Sequence, residues 1–284
     1  MRVLITGAGG QLGTDLQAAF SAGAHHELVA VDRAHLDVGD RDAVASLVGQ
    51  LAPDLVVNCA AWTAVDACES DPDRAWRTNS LAVRHLAEAA ERARAHLVQV
   101  STDYVFDGTK ADPYVEWDPP CPLSVYGRSK LGGELEAAGL PGSTIVRTSW
   151  VLGPHGSNML KTLLRLAAGG GPLAFVDDQR GCPTFTDDLA GAIYRLAVGR
   201  RAGLFHVTNQ GPTTWYGFAR DVLAAAGHDP GRVVPISTAE LDPPRPARRP
   251  ASSVLDNAAL RLAGEPLLAD HHEALERNLR RLIG

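Results

Sequence analysis

The sequence predicts an α/β protein built on a doubly wound parallel sheet, with a smaller lobe toward the C-terminus. Three observations carry this: short apolar runs that end in polar residues, Ala-rich helical stretches between them, and a triple-glycine turn after the first run. Strands that do not alternate apolar with polar are buried on both faces, the condition inside a parallel sheet covered by helices. Taken in order, Val3 to Thr6 is the first strand, Gln11 to Phe20 a helix, and Leu28 to Val31 the second strand. Leu55 to Asn58 and Leu97 to Ser101 repeat the pattern around the helix Ser80 to Ala95. Helix Ser124 to Ala138 leads to a strand over Thr144 to Trp150. Right-handed crossovers then wind the sheet doubly, and ligands bind beyond the carboxyl ends of its strands.

At 284 residues the chain exceeds the usual single-domain length. A first domain over 1–150 and a second, interleaved lobe over 151–284 are therefore expected. Beyond Trp150 the rhythm weakens, and Gly169-Gly170-Gly171-Pro172 breaks the helix that Asn158 opens. A helix over Thr186 to Val198, capped by Thr186 with Asp187 and Asp188 in its first turn, is expected to pack back on the first domain. Four prolines between Asp242 and Pro250 read as a loop or arm.

A formal net charge of −6 excludes a broad nucleic-acid or anionic-membrane surface, since both need concentrated Lys and Arg. No apolar run approaches the roughly 18 residues that span a bilayer, and a strand starting at residue 2 or 3 leaves no room for a leader. Cys59, Cys68, Cys121 and Cys182 form no CxxC pair, so reduced thiols in a cytoplasmic protein are expected. His271-His272 has no spaced third ligand and reads as a solvated pair; no metal is predicted.

Gly7, Gly10 and Gly13 lie between the first strand and first helix, where backbone amides and a helix N-terminus can approach a pyrophosphate. This predicts a dinucleotide site. Asp32 ends the second strand, where a carboxylate accepts the adenosine ribose hydroxyls and disfavours a 2′-phosphate; Arg33 next to it can pair with that phosphate, which leaves NADPH or NADH open. Asp37 and Val38 can lie along the adenine edge, or Asp37 can be a solvated loop residue.

Tyr126 and Lys130 are four apart on a predicted helix and so share a face. An ammonium near a phenol stabilises the phenolate, which turns a weak acid into a usable one. Thr102, at the carboxyl end of its strand, can bond the same substrate ketone as Tyr126. For a diphosphate substrate, Asn158 at a helix N-terminus and Arg147, Arg180 and Arg249 are the candidate partners.

Thr6-Gly7-Ala8-Gly9-Gly10-Gln11-Leu12-Gly13, Ser101-Thr102-Asp103-Tyr104-Val105-Phe106 and Tyr126-Gly127-Arg128-Ser129-Lys130 together resemble the extended short-chain dehydrogenase/reductases. Four further segments narrow the resemblance to the dTDP-4-dehydrorhamnose reductase family and extend it over nearly the whole chain: Asn58 to Thr63, Arg147 to Trp150, Asp177 to Thr184 and Arg249 to Asp256. It implies a Rossmann cofactor domain, a substrate-binding lobe, and hydride delivery from NADPH or NADH to the C4 ketone of a dTDP-linked 6-deoxy-4-hexulose, with Tyr126 as proton donor. It also implies that Gln11, Leu12, Cys59, Ala60 and Ala61 contact the dinucleotide, and that Asp103 belongs to the substrate contacts. Trp150 would line the sugar pocket, with ordinary core as the other reading; Gln179 and Arg180 sit in a loop that would close over the nucleotide. Asn79 falls where this superfamily carries an asparagine on a proton path to the lysine, and it can equally be a helix N-cap.

Asp103 is followed by Tyr104, not by the Glu that related sugar-nucleotide dehydratases need as a second acid–base group, which counts against dehydration. Two alternatives stay open: another nucleotide-linked 4-keto deoxysugar, as in the dihydrostreptose pathway, and a non-catalytic role like that of the similar regulatory subunit of methionine adenosyltransferase. Intact Thr102, Tyr126 and Lys130 favour catalysis. Some relatives hold a divalent cation between subunits; Asp15 and Asp188 lie near such positions but are short for it. A homodimer is compatible with the sequence.

Overall fold

The structure, a computed structural model, describes residues 1–23 and 25–283; Ala24 and Gly284, which the two expected ranges include, lie outside them. The first half runs β1 (Arg2–Thr6), α1 (Gln11–Ala22), β2 (Glu27–Val31), α2 (Arg41–Leu51), β3 (Leu55–Asn58), α3 (Val65–Ser70), α4 (Pro72–Trp76), α5 (Ala82–Ala93), β4 (His96–Thr102), α6 (Val125–Ala138) and β5 (Thr144–Thr148). The second runs β6 (Val151–Leu152), α7 (Met159–Ala167), β7 (Leu173–Val176), β8 (Arg180–Gly181), β9 (Thr184–Phe185), α8 (Thr186–Val198), β10 (Gly203–His206), β11 (Thr213–Thr214), α9 (Trp215–Ala225), β12 (Val233–Ile236), α10 (Ala258–Leu262) and α11 (His271–Ile283).

Six strands form one parallel sheet in the order β10-β5-β4-β3-β1-β2. The order reverses between β1 and β3, the switch point beyond which ligands of such sheets bind. Leu4, Val56 and Leu97 face α2 and α5, while Val3, Ile5, Leu55 and Val57 face α1 and α8. Burial on both faces is why these strands read as unbroken apolar runs. Leu189, Ile193 and Leu196 of α8 join Leu16 and Phe20 of α1 in one core, and β10 extends the sheet beyond β5. A separate core of Leu152, Leu160, Leu163, Phe185, Phe218, Val222, Leu275 and Leu279 holds α7, α9 and α11 together beyond the carboxyl end of β5.

Local expectations are corrected in three places. Thr186 does not cap α8: Phe185 is the N-cap residue without a side-chain bond, and the Thr186 hydroxyl donates instead to the buried Asp15 carboxylate. The helix expected from Ser80 starts earlier, because Asp71 caps α4 by accepting from the Arg74 amide and the chain passes through a π-helical turn at 77–81 into α5. β5 ends at Thr148 rather than Trp150, which has φ +42°, a left-handed conformation uncommon for a bulky residue.

Candidate active site

A cleft of about 1090 Å³ opens beyond the carboxyl ends of β1, β2 and β3. Its walls include Gly7, Gly10, Asp32, Arg33, Asp37, Val38, Cys59, Ala60 and Ala61. Gly7 has φ +69°, and a Cβ there would stand 2.6 Å from the Ala60 amide nitrogen, so only glycine lets the two strand ends close together. Gly13 meets a different constraint, since a Cβ there would overlap the Gly7 carbonyl; the bare backbone lets α1 pack onto the turn. The α1 N-terminus, with amides that no preceding turn can satisfy, faces the same space. A glycine cradle at a helix N-terminus and a cleft of this volume fit a dinucleotide.

Leu12 does not face this cleft. It is 8% exposed and packs into the core with Leu16 and Val3. Gln11 is turned toward the second lobe, its Oε1 accepting from Asn158 Nδ2 at 2.8 Å. Asn158 caps α7 through the Lys161 amide and so links that helix to the start of α1. Asp32 Oδ1 is occupied by the Ala34 amide at 2.9 Å and by His35 Nδ1 at 2.7 Å, and these bonds hold its carboxyl below the usual value. Asp37 pairs with Arg77 at 3.0 Å. Arg33 is exposed and has no carboxylate partner among the described residues. The cleft residues that escaped the sequence reading include Arg74, whose guanidinium lies 4.3 Å over the Trp62 ring, Arg77 and Thr78. The cations preceding Asn79 were the available signal.

The reacting end is built on β4 and α6. Ser124 caps α6 by accepting from the Gly127 amide, and α6 lies so close to the turn at 77–81 that a Cβ on Gly133 would overlap the Asn79 carbonyl. That approach carries Tyr126 and Lys130 to the strand ends. Tyr126 is 8% exposed and its ring meets Tyr104 edge-on at 5.8 Å. Burial raises its phenol above the ordinary value, with the neighbouring Thr102 hydroxyl opposing the rise, so the phenol stays protonated at neutral pH. Lys130 Nζ donates to the Val100 carbonyl at 2.6 Å. Burial lowers its pKa to about 8, against the pull of the Glu134 carboxylate. The Cys59 thiol is itself pushed up to about 12 by burial, so it stays protonated in the cleft wall.

Asn79 is not an N-cap. It is 1% exposed inside the π-helical turn, accepts from the Trp62 amide at 2.8 Å and donates to Ser129 Oγ at 3.0 Å; Ser129 Oγ in turn donates to the Tyr126 carbonyl at 2.8 Å. A second buried chain links Thr6 Oγ1 to Asn58 Oδ1 at 2.6 Å and Asn58 Nδ2 to Gln99 Oε1 at 2.7 Å. Gln99 then donates to the Val100 carbonyl at 2.7 Å, the acceptor that Lys130 uses. Gln99 was missed because inside a buried strand it looks like an interruption of the apolar run.

Several substrate candidates have other partners. Asp103 is 2% exposed; its Oδ1 accepts from Thr102 at 3.0 Å and its Oδ2 from Ser149 at 2.9 Å and from Ser253. Desolvation raises its pKa to about 6 despite these bonds. Arg147 is corrected outright: it points into the sheet interior, 3% exposed, in a bidentate pair with Glu134 at 2.9 and 2.7 Å. Arg249 pairs with Asp66 through both terminal nitrogens, tying the proline-rich arm to α3 and holding the Asp66 carboxyl below its usual range. Gln179 is buried and donates to Thr238 at 2.9 Å. Arg180 alone of the three arginines is exposed with no side-chain ion pair among the described residues. Trp150 is half-buried, stacked on Trp215 with ring centres 3.7 Å apart and planes within 6°. A Cβ on Gly181 would overlap the Trp150 indole, so the bare backbone there makes room for the ring. A half-exposed indole in a left-handed conformation is not ordinary core.

The model of the family described as RmlD substrate binding domain matches residues 1–283. A dTDP-4-dehydrorhamnose reductase of Burkholderia thailandensis is 44% identical over 278 residues, 92% of either chain. Among solved structures, a dTDP-4-dehydrorhamnose reductase from Clostridium acetobutylicum superposes with a TM-score of 0.96 at 40% identity over 99% of both chains. Another from Bacillus anthracis, crystallised in complex with NADP, gives 0.94 at 36% identity, again over 99% of both.

Proposed function

The chain belongs to the family of the RmlD substrate binding domain, and from that membership we propose that it is an oxidoreductase reducing the C4 ketone of dTDP-4-dehydrorhamnose to give dTDP-L-rhamnose. The observation that carries this reading is a buried phenol and a buried amine on one face of α6, set against the strand ends beside a glycine-cradled cleft. NADPH or NADH in that cleft supplies hydride to the ketone carbon. Tyr126 delivers the proton to the ketone oxygen, since its elevated pKa keeps it loaded at neutral pH. Lys130 as an ammonium stabilises the phenolate left behind. Thr102, next to Tyr126 at the end of β4, orients the ketone by turning to it the hydroxyl hydrogen that Asp103 otherwise accepts. Asn79 and Ser129 hold the first turn of α6 and with it Tyr126.

The lobe around the third core supplies the sugar-nucleotide side. Trp150 and Trp215, stacked on each other, offer an apolar surface suited to a deoxysugar, and Arg180, without an ion pair among the described residues, supplies a cation for a diphosphate. No helix among the described residues is long and apolar enough to cross a membrane. The test is a panel of nucleotide-linked 4-keto deoxysugars with NADPH and NADH; the dTDP-4-dehydrorhamnose arm gives the highest kcat/KM, and no oxidation of either cofactor with any sugar overturns the reading.

Two expected results bear on the cofactor and on pH. Arg33→Ala raises KM for NADPH about tenfold, the loss of a charge-assisted contact worth roughly 1.5 kcal/mol, and leaves KM for NADH within about twofold; steady-state kinetics with both cofactors checks it. Because Lys130 has a pKa of about 8, it is an ammonium below that pH and a neutral amine above it. Turnover is therefore flat near pH 7 and falls toward roughly tenfold per unit above pH 8. Lys130→Arg, which keeps its charge, removes that limb from the kcat profile.

A further inference from the structure

Away from the cleft, three ligating side chains of the second lobe meet without taking part in the chemistry above: His271 and His272 at the start of α11, and Asp221 in α9. One donor atom from each lies within 4.8 Å of the other two. The histidine pair lacks a third ligand in sequence because the third comes from another helix, fifty residues away in the chain. Nor is the pair solvated as a unit, for His271 is 2% exposed.

We propose that Asp221, His271 and His272 bind a divalent transition-metal ion of the zinc class, with water in the fourth position. The ring orientations support this first. His271 Nδ1 faces the Gln210 carbonyl at 3.3 Å and His272 Nδ1 faces Asp270 Oδ1 at 2.7 Å. Both partners only accept, so a neutral ring donates from Nδ1 and leaves Nε2 able to ligate. Both Nε2 atoms lie near Asp221 Oδ2, at 3.6 Å for His271 and 3.5 Å for His272. Three donor atoms within 4.8 Å of one another suit a cation between them. A proton on either Nε2 would draw the carboxylate in to about 2.7–2.9 Å. The two nitrogen–oxygen separations are instead close to the edge of a tetrahedron with metal–ligand bonds of about 2.0–2.1 Å, which is about 3.4 Å.

The second support is the buried Nε2 of His271, which has no hydrogen-bond partner. An orphaned ring nitrogen in the interior loses its hydration for nothing unless an ion takes it. Third, the outer partners are those of a metal-binding histidine, one backbone carbonyl and one carboxylate on the far ring nitrogens. Gly211 makes room for them: it has φ +84°, and a Cβ there would stand 2.6 Å from Asp270 Oδ2 and 2.8 Å from His271 Nδ1. The His272 side chain is 59% exposed and that of Asp221 31%, which gives the ion and its water an entry path. The bound ion joins α9 to α11 inside the second lobe, and α9 begins with the Trp215 that stacks on Trp150.

The experiment uses untagged full-length protein stripped with a chelator. Titration with Co2+ is expected to give the visible absorption of a four-coordinate ion, saturating at one equivalent and bleached by Zn2+. His272→Ala and Asp221→Asn each weaken Zn2+ binding at least tenfold in calorimetry, and neither changes the melting temperature of the metal-free protein by more than a few degrees. In the wild type Zn2+ raises that temperature, and in the variants the rise is lost. Wild-type Zn2+ affinity and stoichiometry in both variants, or no Co2+ absorption in the wild type, would overturn the proposal.

Discussion

Tyr126→Phe lowers kcat for the ketosugar about 10³-fold, close to 4 kcal/mol of transition-state stabilisation, and leaves the Kd for NADPH within about twofold. The substitution removes one oxygen. The ring keeps its edge-on contact with Tyr104 and its place among Val125, Cys68 and Ala75, so neither α6 nor the cleft has cause to move. Proton delivery then falls to water, which this buried position admits poorly. Fluorescence titration with NADPH alongside stopped-flow reduction separates the two effects; unchanged turnover in the variant removes Tyr126 from the mechanism.

The second large effect is on stability. Arg147→Met is expected to cost about 3–5 kcal/mol, because it strands the Glu134 carboxylate inside the protein without its cation. Glu134 is 5% exposed, and its Oε1 also accepts from Ser101 Oγ at 2.5 Å. The loss reaches the active site, since Glu134 lies one helical turn after Lys130 and anchors α6 to β4 and β5 through these bonds. Replacing both partners, Arg147→Met with Glu134→Leu, restores most of the stability, as a pair removed together leaves no uncompensated charge. Urea unfolding of the single and double variants checks this; a double variant as unstable as the single one would locate the cost in packing rather than in the stranded carboxylate.

The same pair shows where sequence reading stops. Arg147 was a diphosphate candidate because a cation at a strand end near an active site suits an anion. What decides its role is the partner on α6 and the register of β5 against β4, which sets Arg147 opposite Ser101. Neither is local information. Arg249 and Gln179 went the same way, each toward a partner more than fifty residues distant. The sheet was legible because burial on two faces writes itself into every strand, and the glycine turn because Gly7 and Gly13 meet steric demands that only glycine satisfies. Tyr126 and Lys130 were legible because four-residue spacing on a helix is geometry by itself. Asn79 was ambiguous in sequence because its helix starts at Pro72, eight residues before the expected boundary, and the π-helical turn that lets Asn79 reach Ser129 leaves no residue signature.

The central claim, that hydride passes to the sugar ketone carbon in a site closed by Tyr126 and Lys130, is tested most directly with NADPH deuterated at the nicotinamide C4 position. NMR of the product from dTDP-4-dehydrorhamnose should show one deuterium at the sugar C4 of dTDP-L-rhamnose when the label sits on one face of the nicotinamide, and none when it sits on the other. Reduced sugar with no label from either cofactor isomer, or oxidised cofactor with the 4-keto sugar unchanged, would contradict it.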